Sequence, residues 1–391
     1  MKRRLAKLLR RLSARQSAPV TSASLTISAP FTIWHDPDYY ATFPSFAQTR
    51  QGVLMSFRIA PREPHDFQSD SGQHQQHLHP RAALALTTLD ADLTATGYRL
   101  FDVDLVTADQ DPNLSVLPDG SLLMSSFSWR PNGYLLDEVQ RPGMFVEKTS
   151  GMSAIFWGGF TAISHTQGQT WEPRQYLPAL PDYPDLVAGR RGWMGGRHRG
   201  QVVATRDGRL LLATYDRADN DATFDSYLYE SPDQGRTWSY AGPLAKDPDG
   251  KIGFAEPTLV RTTGGDILAL HRTFGAGDKL AVCRSSDQGR SWSGFELADV
   301  VGHPYHVIML SDSQGLLVYG VRAKVSSIRA RLIDLTTGKI DAGEVMLRDG
   351  SNYRDIGYPS GIVLACGRVL VSYYWVDDQG CRYIEAVTIS L

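Results

Sequence analysis

The chain is 391 residues long, carries a formal net charge of −2, and is 42% hydrophobic and 21% charged. Those values describe a globular protein with a substantial core, and the absence of a positive balance excludes nucleic acid as a general partner. No apolar run approaches the ~20 residues of a transmembrane helix.

At the N-terminus, residues 1–15 place Leu5, Leu8, Leu9 and Leu12 on one helical face, surrounded by Lys and Arg. This pattern predicts either an amphipathic helix resting weakly on an anionic membrane surface or a solvated basic tail. It lacks the uninterrupted apolar core of a secretory leader, so the expected location is the cytoplasm, at most peripheral to a membrane. Residues 16–30, rich in Ser, Ala and Thr, read as a linker or as a late strand closing a ring. The rest, 31–391, reads as one domain, expected as a monomer or a small homo-oligomer.

That domain is built from repeats. A glycine-bearing turn between two apolar strands occurs at Arg50-Gln-Gly52, Pro118-Asp-Gly120, Arg206-Asp-Gly208, Gly264-Gly-Asp266, Ser313-Gln-Gly315 and Cys366-Gly367. A second motif appears as Ser231-Pro-Asp-Gln-Gly-Arg-Thr-Trp238 and Ser285-Ser-Asp-Gln-Gly-Arg-Ser-Trp292, with a third copy, Ser164 to Trp171, that has Thr166 in place of the aspartate. In this motif the Asp caps loop amides, the Gly takes a left-handed conformation, and the Trp packs back on the sheet. Six hairpins with room for four strands each predict an all-β fold, a six-bladed β-propeller of four-stranded antiparallel sheets. The blades are expected at about 31–100, 101–172, 173–238, 239–292, 293–340 and 341–391.

Blade one contains a long polar loop from Pro64 with His65, His74, His77 and His79. No Cys or carboxylate lies at a metal-site spacing from these histidines, so a solvated loop without metal is expected. Blade two carries an insertion, Trp129 to Trp157. The cysteines Cys283, Cys366 and Cys381 have neither CxxC spacing nor the even count of a disulfide framework, and read as buried thiols. No cofactor motif is present.

In a propeller the inner strands all begin at one mouth of the central channel, and their hairpin partners end there. Asp111, Arg199, Glu256, His303, His306, Asp355 and Tyr358 fall at inner-strand starts, and Arg58 and Arg272 at returning-strand ends. All should converge on one polar binding mouth.

These residues resemble the sialidase superfamily, six-bladed propellers with Asp boxes on their outer turns. The resemblance covers residues 31–391. It implies a glycan or glycoconjugate substrate and a retaining exo-glycosidase acting on a terminal acidic sugar. It implies Tyr358, in Asp355-Ile-Gly-Tyr358-Pro-Ser360, as nucleophile, Glu256 as its base, and Arg272 and Arg329 as a clamp for the sugar carboxylate. The chemistry is coherent: guanidinium forks hold a carboxylate bidentately. A neutral tyrosine hydroxyl deprotonated by a neighbouring Glu avoids the repulsion a carboxylate nucleophile would meet.

Two positions depart from the family pattern. Thr42, in Ala41-Thr-Phe-Pro44, stands where the family has a third clamp arginine, and Arg58 is the candidate substitute. The family's acid is an aspartate before the next strand, where this chain reads His77-Leu-His79-Pro-Arg81; His79 is the candidate acid. Two other readings remain open: a polysaccharide lyase with Tyr358 or a His as base, acting on a uronate, and a carbohydrate-binding propeller without catalysis.

Overall fold

The computed structural model describes residues 20–62, 79–95, 97–102, 104, 106–134, 144–146, 152–181, 196–217 and 223–391. The basic stretch 1–15 and His65, His74 and His77 lie outside them. Within the described residues the fold is a six-bladed β-propeller, six antiparallel sheets with a single 3-10 turn at Ser22–Ser24. The inner strands are Tyr39–Thr49, Ala108–Val116, Val203–Ala204, Gly253–Arg261, His303–Met309 and Gly357–Val363. Each of the six glycine turns joins an inner strand to its returning partner.

The ring closes between its two ends. Blade six is completed on its outer edge by Thr26–Ile27, which pairs with Arg382–Ser390, and Phe31–Trp34 pairs with that same strand. The propeller therefore begins before residue 31, and residues 31–34 belong to blade six rather than to blade one.

The Asp motifs sit between the third and fourth strands of blades two, three and four. In blade three, Asp233 Oδ1 accepts from the Thr237 amide (2.8 Å) and Oδ2 from the Thr237 hydroxyl (2.7 Å), while the Gly235 amide donates to Ser231 Oγ (2.8 Å). Asp287 repeats this with Ser291 and Ser285. In blade two Thr166 Oγ1 stands in for the carboxylate, accepting from the Thr170 amide at 2.8 Å. Gln167, Gln234 and Gln288 have φ of 57°, 60° and 64° and are followed by Gly168, Gly235 and Gly289 at 83° to 86°, where glycine is the unstrained residue.

A Cβ on those glycines would meet Leu54, Leu123 and Leu211 at 2.6–2.7 Å. Each motif thus wedges against the preceding blade. Trp238 reinforces this contact by donating from Nε1 to Thr161 Oγ1 of blade two at 3.0 Å.

Because the fourth strand follows the motif, the blades end later than the sequence suggests. Gln175–Tyr176 closes blade two, Ser239–Ala245 blade three and Glu296–Val301 blade four. These edge strands are short or largely exposed, so they carry little of the apolar alternation that marks a strand. The cores run from blade to blade: Phe43, Met55 and Phe57 of blade one pack with Leu370, Tyr374 and Ile384 of blade six.

Candidate active site

Five inner strands carry an X-Pro step at the same place: Phe43-Pro44, Asp111-Pro112, Glu256-Pro257, His303-Pro304 and Tyr358-Pro359; blade three has Arg199-Gly200. In all five the ladder to the returning strand slips there, the signature of a β-bulge. Phe43, Asp111, Glu256 and Tyr358 have φ of 58°, 23°, 49° and 51°. Left-handed backbone at a non-glycine residue costs on the order of 1–3 kcal/mol and concentrates at functional sites. Here it turns four side chains into the channel mouth, where they line one pocket of about 310 Å³.

Within that pocket the buried Tyr358 hydroxyl donates to Glu256 Oε1. Arg272 Nη1 lies 3.2 Å from both Glu256 oxygens, and its guanidinium stacks on Phe274 at 4.6 Å. Arg199 Nη2 donates to the Tyr358 carbonyl oxygen at 3.0 Å, and its Cζ lies 5.2 Å from the Tyr358 ring centre. The Tyr358 hydroxyl is pushed well above its ordinary pKa, first by burial and then by the Glu256 charge, while Arg272 and Arg322 pull the other way. Burial is the largest influence on Arg272 and tends to discharge it, but Glu256 and Tyr358 together outweigh it and raise the guanidinium pKa. The resting state is thus a neutral phenol hydrogen-bonded to a carboxylate within a group of cations.

Asp111 lines the same pocket. Arg197 and Arg217 line it from blade three; Arg197 pairs with Asp216 and lies over Trp129 (5.0 Å) and Phe156 (4.5 Å). Phe127, Trp129, Phe224 and Phe274 supply apolar walls. Two larger clefts, of about 500 and 550 Å³, lie at the far ends of the inner strands of blades three to five and between the outer strands of blades four and five. Neither contains any of the residues expected at the mouth.

Other expected site residues fall elsewhere. Arg329 is on the third strand of blade five, Ser326–Asp334, paired with Glu344, and does not reach the pocket. The arginine that blade five places beside Tyr358 is Arg322, just past the returning strand Gln314–Val321, although it too is not on the pocket wall. Its Cζ lies 5.5 Å from the Tyr358 ring centre; Nη2 meets the Tyr374 hydroxyl at 3.1 Å and the Ile356 carbonyl at 3.2 Å. The returning-strand-end rule that selects Arg58 and Arg272 points to Arg322 when extended to blade five.

Arg58 is fully buried, with burial lowering its pKa to about 10 against the pull of Tyr40, Asp111 and Asp355. It is not among the residues lining the pocket, and Phe43, next in sequence to Thr42, enters the pocket there, its ring 4.7 Å from that of Tyr358. Asp355 is also a buried support: Oδ1 accepts from the Tyr374 hydroxyl at 2.7 Å, and Oδ2 lies 3.3 Å from Arg382 Nε. His79 is buried, its Nδ1 accepting from the Arg81 amide at 3.0 Å, and is not on the pocket wall. His303 and His306 are buried as well and absent from that wall; burial and then Arg199 hold His306 down at about 3, and burial with Arg272 and Arg322 holds His303 lower still.

The BNR repeat-like domain matches residues 144–371. No curated protein sequence matches the chain. Among solved structures, a protein of unknown function from Dyadobacter fermentans is 28% identical, covering 94% of this chain and 99% of its own, with a TM-score of 0.80. The NanB sialidase of Streptococcus pneumoniae, in complex with 2-[(3-chlorobenzyl)ammonio]ethanesulfonate, is 15% identical over 93% of this chain and 70% of its own (TM-score 0.59). An α-L-arabinanase of Penicillium chrysogenum complexed with arabinobiose is 14% identical over 93% and 98% (TM-score 0.54). The last two likenesses are of fold. With the domain match spanning more than half its length, the chain belongs to the BNR repeat-like domain family.

Proposed function

We propose that this protein is a retaining exo-glycosidase of the sialidase type that removes a terminal acidic sugar from a glycan. The observation that carries the reading is the buried hydrogen bond from Tyr358 to Glu256 beside Arg272, on a pocket of single-sugar size. Glu256 takes the Tyr358 proton as the phenolic oxygen bonds to the anomeric carbon, and the glycosidic C–O bond breaks. Arg199, Arg272 and Arg322 surround the ring and stabilise the developing phenolate. Arg272 is the cation on the pocket wall against the Tyr358–Glu256 pair and is best placed to hold a sugar carboxylate.

The leaving oxygen needs a proton. Asp111 and Glu256 are the carboxyl groups lining the pocket among the described residues, and Glu256 is committed to Tyr358. Asp111 therefore takes the acid role in this reading, in place of His79. In the second half, water attacks the anomeric carbon, Asp111 accepts its proton, and Glu256 returns one to the departing tyrosyl oxygen, regenerating the enzyme.

The test is a panel of aryl α-glycosides bearing acidic and neutral sugars, run with wild type and Tyr358→Phe, together with a glycosyl fluoride carrying a second fluorine on the carbon next to the anomeric centre to trap the intermediate. Turnover of an acidic glycoside that vanishes in the variant, with the trapped mass on the Tyr358 peptide, supports the reading. An ultraviolet-absorbing unsaturated product would establish a lyase instead. Binding without turnover would leave a lectin-like propeller.

A further inference from the structure

Away from the mouth pocket, the two ends of the ring meet in a cluster that the glycosidase chemistry does not use. His35 follows the strand Phe31–Trp34, and Asp377 and Cys381 bracket the turn between Val369–Val376 and Arg382–Ser390. His35 Nε2 is 3.0 Å from Asp377 Oδ2, across 342 positions of sequence. One donor atom from each of the three residues lies within 4.8 Å of the others.

We propose that His35 Nε2, Asp377 Oδ2 and Cys381 Sγ bind a zinc-class divalent cation that latches the ends of the propeller ring.

The donor set is the first argument. Imidazole, carboxylate and thiolate are the three zinc ligand types, and bonds of about 2.0–2.3 Å in a tetrahedron put neighbouring ligand atoms about 3.3–3.8 Å apart. The present spread needs only small side-chain adjustments to reach that. Orientation is the second argument. Asp377 Oδ1 is already fixed by the amides of Gln379 (2.9 Å) and Cys381 (2.8 Å), which leaves Oδ2 to face His35. The His35 ring is held edge-on to Tyr383, with centroids 5.3 Å apart. Outer contacts of this kind fix ligands in metal sites.

Charge is the third argument. One carboxylate and one thiolate neutralise a divalent ion, so the complex can sit beside Arg62, whose Nη2 donates to the Gln379 carbonyl at 2.8 Å, and Arg382. The Cys381 thiol gives up its proton to solvent on binding, and the carbonyl of Tyr39, 3.1 Å from Sγ, loses a weak donor. The fourth position is open to water.

The experiment uses the full chain carrying Cys366→Ser, which removes the exposed thiol. The metal-stripped protein is titrated with Co²⁺ and then Zn²⁺. The expected result is one equivalent of Co²⁺ with a near-ultraviolet thiolate-to-cobalt band and the visible spectrum of a tetrahedral centre, both erased by Zn²⁺. A raised melting temperature with Zn²⁺ should accompany it. His35→Ala, at an exposed position that should fold normally, and Asp377→Asn should each weaken Zn²⁺ by about 100-fold; Cys381→Ser should abolish the band. Absence of the band, or equal Zn²⁺ affinity in His35→Ala and its parent, would overturn the proposal and leave a His–Asp pair beside a structural thiol.

Discussion

Acidification from pH 7.5 to 5 should destabilise this propeller sharply, and the reason lies in its buried histidines. His198 and His271 are fully buried and held at about 4, and His306 at about 3, against an ordinary value of 6.5. Burial is the main cause in each case, with the Arg199 charge adding to it at His198 and His306. The folded pKa is depressed, so the native state keeps these rings neutral while the unfolded chain takes up protons below 6.5. Their contribution is therefore complete above 6.5 and is lost as the pH falls toward 4. At pH 5 each of these sites has lost about 2 kcal/mol, and His303, held lower still by burial with Arg272 and Arg322, as much again, about 8 kcal/mol for the four, a large part of a typical domain stability of about 5–15 kcal/mol. Carboxylates protonate mostly below this window, so histidine dominates it. Calorimetry from pH 7.5 to 5 should show the melting temperature falling by about 10 °C. His271→Gln keeps a partner for Ser226 Oγ, which now lies 2.9 Å from His271 Nε2, and should remove about a quarter of the fall. A melting temperature that stays level across the window would refute the reasoning.

Tyr358→Phe should lower kcat by about a thousandfold or more while leaving the circular dichroism unchanged, since only a hydroxyl is removed; activity near wild type excludes the tyrosine as nucleophile. Asp111→Asn should cost about 10²–10⁴-fold on alkyl glycosides and far less on nitrophenyl glycosides, whose leaving groups need no proton; equal losses on both would remove Asp111 as the acid. Arg329→Ala breaks a half-exposed pair with Glu344 and should leave kcat/KM within about twofold and stability within about 1 kcal/mol. Gly235→Ala places a Cβ 2.6 Å from Leu123 at a φ of 86° and should cost about 2 kcal/mol or more, read as a fall in denaturation midpoint.

The parts of this fold that were legible in the sequence are those written in local chemistry. A glycine turn between apolar runs needs no distant partner, and the six such turns are the six inner hairpins. The Asp motif is equally local: Asp233 and Asp287 satisfy amides four residues away. The blade ends were not legible, because edge strands such as Gln175–Tyr176 are exposed on both residues and bear no apolar signal. The resemblance points to Arg329 because it lies in the strand after the blade-five hairpin, whereas register decides which side chains face the mouth. On its strand Arg329 and Arg331 share one face, and both contact Glu344 on the outer strand. Arg322 was passed over although it obeys the rule that selects Arg272.

The X-Pro steps connect the legible and illegible halves of the site. Proline has no amide to give a ladder, so inside a sheet it is confined to edges and bulges. An inner strand of a blade is an edge facing the channel, and a proline there marks the bulge that turns the preceding residue inward. That signal sits at 44, 112, 257, 304 and 359 and names Phe43, Asp111, Glu256, His303 and Tyr358. It does not reveal which of them reach the pocket. Packing between blades decides that: Phe43 meets Tyr358 across the blade one to blade six seam, and Tyr358 reaches Glu256 across the channel. His303 occupies the same step but stays buried off the pocket wall. Repeated local strain therefore supplies candidate positions around the mouth, and the non-repeating contacts select the few that could do chemistry. Bulges costing on the order of 1–3 kcal/mol each persist only where their surroundings over-determine them. Replacing Pro257 or Pro359 with Ala should thus loosen the Tyr358–Glu256 contact and lower turnover before it lowers the melting temperature; a melting temperature that falls first would show that the prolines serve the fold rather than the site.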